Sequence, residues 1–232
     1  MYVERLPDPA VSGRVAVLWV HVAEGDGRHL VVPDGCVDLI WGPHGPHVAG
    51  PDTGPMYTRM RAGDTYVGVR FLPGAVGGAL GVPVEELRDL RVPVADLPRS
   101  DALRRMTEEG PGASRSELQR LMLATVVERL GATAAPDPAA PHVAAALRAG
   151  RTVAEVARRL GLSERQLHRR SLASFGYSPK TLQRIVRFQR ALRLARAGRP
   201  LADVAADSGY ADQAHLANDV KRLSGVTIRR LL

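Results

Sequence analysis

Two short segments carry side chains whose types and spacing suit one kind of chemistry. Arg165, His168 and Arg169 lie in SERQLHRR, and Gln213, Ala214 and Asn218 lie in ADQAHLAND. A guanidinium presents a fork of donors that matches the O6 and N7 acceptors of guanine, and a Gln or Asn amide pairs with adenine in the same two-pronged way. Polar groups on a solvated helix face are commonplace, so neither segment means much alone. The weight comes from their repetition.

The elements that must position them form an internal repeat. VAEVARRLGLSERQLHRR is matched by LADVAADSGYADQAHLANDV, with Glu155, Val156, Ala157 and Gly161 falling on Asp203, Val204, Ala205 and Gly209. Leu167 and Gly176 then fall on Leu216 and Gly225, so the second turn holds one extra residue. Each unit reads as a short helix, a glycine-containing turn and a second helix, the helix-turn-helix layout. Thr152 with Glu155, and Ser163 with Gln166, have the spacing of capping boxes, and Asp212 is placed to cap the last long helix. Leu167 and Leu172 face the core, leaving Arg165, His168 and Arg169 outward. Between the units, SPKTLQRIVRFQRALRLARAG starts with a capping Ser178 and a Pro179 suited to the first helical turn. About 18 residues of helix span roughly 27 Å, enough to hold two reading helices near one turn of B-DNA apart. Its cations, Arg184 and Arg187 among them, suit phosphates better than bases.

Charge follows the same division. The chain of 232 residues has 32 basic and 24 acidic side chains. Residues 141–232 hold 18 of the basic and only 6 of the acidic groups, while residues 1–110 are mildly acidic, with 11 and 15. A cationic block of this kind points to a polyanion. The stretch ATAAPDPAAP divides the chain into residues 1–131, a linker at 132–141 and residues 142–232. Helices are expected at 142–149, 153–160, 164–174, 180–197, 201–208 and 213–223.

Residues 14–71 show short apolar runs (HLVVP, GCVDLIW, TYVGVRF) bounded by turns such as PDG, GPHGP and GPDTGP, the pattern of an antiparallel barrel or sandwich. GAVGGAL and VEELRDL then suggest short helices. ASRSELQRLMLATVVERLG suggests a long one, started by Ser114 and Glu117 and apolar enough to be covered on two sides, between domains or in a dimer seam. The fold class is therefore α+β: an N-terminal antiparallel β-barrel with flanking helices, then an all-α double helix-turn-helix.

Residues 142–232 resemble the AraC/XylS family of transcription regulators, whose DNA-binding half joins two helix-turn-helix units by a long helix. The resemblance rests on VAEVARRLGLSERQLHRR, FGYSPKTLQRIVRFQRALRL and VAADSGYADQAHL in that order. It implies base reading by Arg165, His168 and Arg169 in one major-groove segment, and by Gln213, Ala214 and Asn218 in the next. It also implies double-stranded DNA and RNA polymerase as partners. Two departures stand out: the family often has Arg where Asn218 stands and an aromatic where Val220 stands, and Ile228 replaces the proline of its usual Gly-x-x-Pro ending. PDGCVDLIW, the AGPDT turn and VGVRFLPGA resemble the cupin-like sensor domains of a subset of these regulators, implying that residues 1–131 sense a small effector or mediate homodimerisation.

In that domain Asp34, Asp38, Trp41 and Arg70 combine an aromatic wall with polar groups, as the mouth of a binding pocket does, although Asp34–Gly35 also fits a plain hairpin turn. Cys36 is the only cysteine. It cannot form an intrachain disulfide or a four-cysteine zinc site, and Asp34 and Asp38 beside it disfavour the thiolate. His21, His29, His44 and His47 lack metal-ligand spacing, so no metal or other cofactor is expected. No nucleophile–base–acid set or phosphate loop appears, and an enzyme is not expected. The N-terminus lacks a signal-peptide pattern and no apolar run is long enough to span a membrane, so a cytoplasmic protein is expected. The rival to a sequence-specific regulator is a non-specific architectural DNA-binding protein.

Overall fold

A computed structural model describes all 232 residues. The N-terminal part is built on a six-stranded antiparallel sheet in the order β1-β2-β7-β4-β5-β8. Its strands are β1 (Tyr2–Arg5), β2 (Val15–Val22), β4 (Asp38–Gly42), β5 (Gly45–Ala49), β7 (Thr65–Phe71) and β8 (Arg91–Pro93). A separate two-stranded ribbon pairs β3 (Gly27–Val31) with β6 (Met56–Met60). The barrel expected from the sequence is thus not closed by hydrogen bonds, because ribbon and sheet share no ladder. They enclose a space between them instead.

Successive side chains of a strand point to opposite faces, and here the two faces have different jobs. Leu39, Val48, Val67, Val69 and Phe71 point to the face covered by α1 (Asp101–Glu109) and α2 (Arg115–Ala132), where they pack with Met106, Met122 and Val126. Trp19, Asp38, Ile40, Tyr66 and Arg70 point to the other face, toward the ribbon. Trp19 lies so close over β7 that any side chain at Gly68 would collide with its indole.

Several expectations need correction. GAVGGAL is not helical: Gly74 and Gly77 take positive φ, which an L-residue helix cannot accommodate. VEELRDL holds one 3-10 turn, Val84–Leu87, before the chain enters β8. The α2 helix has the expected Ser114–Glu117 capping box, yet it is not sandwiched between domains. Its buried stripe rests on the N-terminal core, and Val127 on the far side is 46% exposed. α1 was not anticipated, although its apolar residues Ala102, Leu103 and Met106 have helical spacing.

The C-terminal part is all helical: α3 (Ala140–Arg148), α4 (Val153–Arg159), α5 (Glu164–Phe175), α6 (Pro179–Arg196), α7 (Leu201–Asp207) and α8 (Gln213–Ser224). α3 starts inside the stretch expected to be non-helical, because Pro141 falls in its first turn, where the missing N–H costs nothing. The other five helices begin and end within one residue of expectation. Both capping boxes form, Ser178 caps α6 and Asp212 caps α8. α4 and α5 form one helix-turn-helix, and α7 and α8 the other. The turns share three equivalent backbone bonds, among them Leu162 N–H to Ala157 O and Tyr210 N–H to Ala205 O, both at 2.9 Å, with Gly161 and Gly209 at positive φ. α6 serves both units. Leu182, Ile185 and Val186 enter the first core, and Phe188, Ala191, Leu192 and Ala195 enter the second.

Candidate functional site

The first candidate is the outward face of the two turn-following helices. The Ser163–Gln166 box fixes where α5 begins, and Leu167, fully buried, fixes which way it faces. With that rotation set, Arg165, His168 and Arg169 are all exposed. On α8, Asp212 accepts the His215 N–H at 2.7 Å and Leu216 is buried, so Gln213, Ala214 and Asn218 are exposed in turn. The structure therefore places both expected sets at the solvent-facing surface of matched helices.

The expected phosphate anchors are in a different position. Arg184 and Arg187 both turn toward Asp219, a carboxylate only 8% exposed. Arg187 Nη2 lies 3.0 Å from Asp219 Oδ2, and Arg184 Nε lies 3.7 Å from Oδ1. The Tyr210 hydroxyl donates to the same carboxylate at 3.2 Å, and the Arg187 guanidinium sits 4.1 Å from the Tyr210 ring centroid. Burial, and then Asp219, push the Tyr210 pKa up. This network ties the joining helix to the second unit, so both arginines have a structural role whatever else they touch.

The second candidate is the space between sheet and ribbon, a cavity of about 650 Å³. Of the four residues expected to line a pocket, Asp34, Asp38 and Arg70 do so. Trp41 does not: three residues on from Asp38 along β4, it falls on the opposite face and packs against the helical side beside Gly110. The aromatic wall comes from Trp19, Tyr2 and Tyr66. The alternation in β2 that puts Trp19 and His21 on one face was the available signal. A second polar pair, Asp52 and Arg91, went unread because its members are 39 residues apart.

At one end of the cavity, Arg70 Nε lies 3.1 Å from Asp38 Oδ1 and Nη1 lies 3.6 Å from Asp34 Oδ2. The Trp19 indole N–H donates to Asp38 Oδ1 at 2.7 Å. Burial pushes the Asp38 pKa up to about 6, against the pull of Arg70 and Trp19. Burial also opposes the Arg70 charge, but Asp38 and Asp34 outweigh it and raise that pKa. At the other end Arg91 grips Asp52 through two hydrogen bonds of 2.7 and 2.9 Å. His21 and His29 face each other with ring centroids 5.1 Å apart, and burial lowers both their pKa values. Cys36 is half-buried in the wall, and burial together with Asp34 raises its pKa. The cavity thus joins a flat apolar wall to two fixed charge pairs, an arrangement able to orient an amphipathic small molecule. No helix of the protein is long and apolar enough to cross a membrane.

Comparison with known proteins adds the following. Residues 143–232 match a family described as a helix-turn-helix domain, and residues 3–93 match a domain of unknown function (DUF6597). No curated protein matches the chain. Among solved structures, ToxT from Vibrio cholerae is similar at 12% identity over 92% of this chain and 97% of that one, with a TM-score of 0.49. ToxT bound to an unsaturated fatty acid is similar at 12% identity over 90% and 88% of the two chains, with a TM-score of 0.43.

Proposed function

We propose that residues 143–232, which match a helix-turn-helix family, are an AraC-type double helix-turn-helix and that the protein is a cytoplasmic, sequence-specific transcription regulator. It reads two adjacent major-groove segments and is controlled by a small molecule held between the sheet and the β3–β6 ribbon. The observation that supports this reading most is the set of equivalent backbone bonds in the two turns, with an outward set of base-compatible side chains on each following helix. In this reading Arg165, His168 and Arg169 contact one segment, and Gln213, Ala214 and Asn218 contact the next. The protein acts by binding, with duplex DNA and RNA polymerase as partners, and a homodimer is compatible with the exposed far side of α2.

The test is selection of bound sequences from a random duplex pool at about 150 mM salt, a concentration at which non-specific binding is already weakened. The expected result is a bipartite motif with its two blocks about one helical turn apart. Arg165→Ala with Arg169→Ala should cost about 1–3 kcal/mol per lost contact and blur one block only. A general loss of affinity with no enriched sequence would instead make the protein architectural.

A further inference from the structure

The space between sheet and ribbon is unevenly charged. Three carboxylates line it, Asp34, Asp38 and Asp52, against two inward guanidiniums, Arg70 and Arg91. Arg59 also borders it, but strand alternation turns its exposed side chain outward with Tyr57. The Asp52–Arg91 pair is closed on itself, each carboxylate oxygen accepting from one Nη. Asp38 is closed as well: only 7% exposed, it accepts from Trp19 and Arg70. The excess charge therefore rests with Asp34. Its Oδ1 accepts the Cys36 N–H at 2.8 Å, which fixes the carboxylate. Its Oδ2 stands 3.6 Å from Arg70 Nη1, beyond hydrogen-bonding reach, and the side chain is 34% exposed.

The strand histidines do not balance that charge. Burial lowers the pKa of His21, His29 and His47, so near neutral pH these rings are uncharged and each offers an acceptor nitrogen. Trp19, bonded to Asp38, and Tyr2, its ring centroid 6.1 Å from that of Trp19, bring electron-rich faces to the same end. Such faces attract cations. Ile40 from the sheet and Met60 from the ribbon, both half-buried, supply apolar surface. A carboxylate entering here would find Arg70 already facing two carboxylates. An ammonium would find in Asp34 Oδ2 an acceptor without a donor. It would also relieve Asp38, whose pKa is raised by burial and, in the same sense, by Asp34. At about 650 Å³ the space holds a body of drug-like size.

We propose that this cavity selects an organic cation: a protonated amine on an apolar or aromatic body, its ammonium donating to Asp34 Oδ2 beside Tyr2 and its body lying between Ile40 and Met60. The proposal rests on the reading of this space as the effector site. Charge sets the selection more than shape does. An unbalanced carboxylate in a poorly solvated space is unfavourable, and an entering cation offsets it, whereas a further carboxylate adds to it. A neutral ligand of the same shape falls between the two.

The test uses three probes with one body and different heads: phenylbutylamine, phenylbutanol and phenylbutanoate. The full chain is made as Trp41→Phe, which leaves Trp19 as its only tryptophan, and binding is followed by Trp19 emission and by calorimetry. The amine should bind about tenfold tighter than the alcohol, as one charge-assisted hydrogen bond allows, and the carboxylate should bind weakest. Asp34→Asn keeps an acceptor for the Cys36 N–H but removes the charge, and should bring amine and alcohol within about twofold of each other. Should that variant fail to fold, the ranking in the parent chain decides alone. An alcohol or carboxylate that binds as tightly as the amine would overturn the proposal while leaving the cavity a ligand site of another class. An undiminished preference for the amine in Asp34→Asn would overturn it too. Binding by none of the three at millimolar concentration would overturn it together with the effector-site reading.

Discussion

The two helix-turn-helix units have the same backbone but are secured by different means. In the first, both helix starts are written in local chemistry: Thr152 with Glu155, and Ser163 with Gln166, satisfy the free N–H groups of α4 and α5. The second lacks a side-chain cap at the start of α7, where Pro200 occupies the place of Thr152. It has instead a largely buried network of Arg187, Tyr210 and Asp219, whose partners come from α6, the turn and α8. Their outward faces differ in kind too. The first presents three cationic or ionisable groups, the second an amide pair and an alanine. A duplicated fold can evidently exchange neighbour-to-neighbour support for long-range support while keeping its geometry.

The largest test of this contrast is at the shared core position. Leu167→Ala and Leu216→Ala, both at sites almost without exposure, should each cost about 2–5 kcal/mol. Denaturant unfolding should give similar losses; a large inequality would mean that the units do not contribute equally to the domain. Next comes the position at which the units differ most. Asp219→Ala leaves the Arg187 guanidinium and the Tyr210 hydroxyl without their carboxylate and should cost about 3 kcal/mol. The matched residue in the first unit is Arg170, whose 3.4 Å pair with Asp137 is partly exposed to solvent, so Arg170→Ala should cost about 1 kcal/mol or less in the same assay.

The smallest effects belong to the caps. Thr152→Ala should cost about 1 kcal/mol. Its partner Glu155 has a lowered pKa, through hydrogen bonds from the Thr152 backbone and hydroxyl. The folded state therefore releases that proton more readily than the unfolded chain. The stabilisation is full above the ordinary carboxylate range and is lost as pH falls through the lowered value. Thermal melts across acidic pH should show a shallower decline in Glu155→Gln, which retains the hydrogen bonds without the titration, than in the unmodified protein, where Glu117 and Glu155 both contribute.

The same contrast explains what could be read from the sequence. Helices α4 to α8 were legible almost to the residue because their ends depend on residues three or four apart. The pairing of Arg187 with Asp219 was not, since 32 residues separate them and only the packed fold brings them together. In the N-terminal part the strands β2, β4 and β7 were visible as apolar runs, while β5 lay within punctuation that read as a turn. Trp41 was assigned to the cavity by proximity in sequence, yet strand alternation puts it on the opposite face from Asp38. Gly176 and Gly225 were legible as helix ends. Their second role, clearance for Pro51 and Pro55, depends on neighbours more than a hundred residues away.

The joining helix α6 also fixes a phase. Its residues up to Val186 belong to one core and those from Phe188 onward to the other. One residue inserted between them would rotate everything downstream by about 100° and advance it by about 1.5 Å. The second reading helix would then face a different side of the duplex while each unit remained folded. The turn of the second unit absorbs its extra residue without such a penalty, because a turn has no pitch to preserve. Length variation in this architecture is thus tolerated within a unit and barred between units, as teeth can be recut on a gear but not slipped along its shaft.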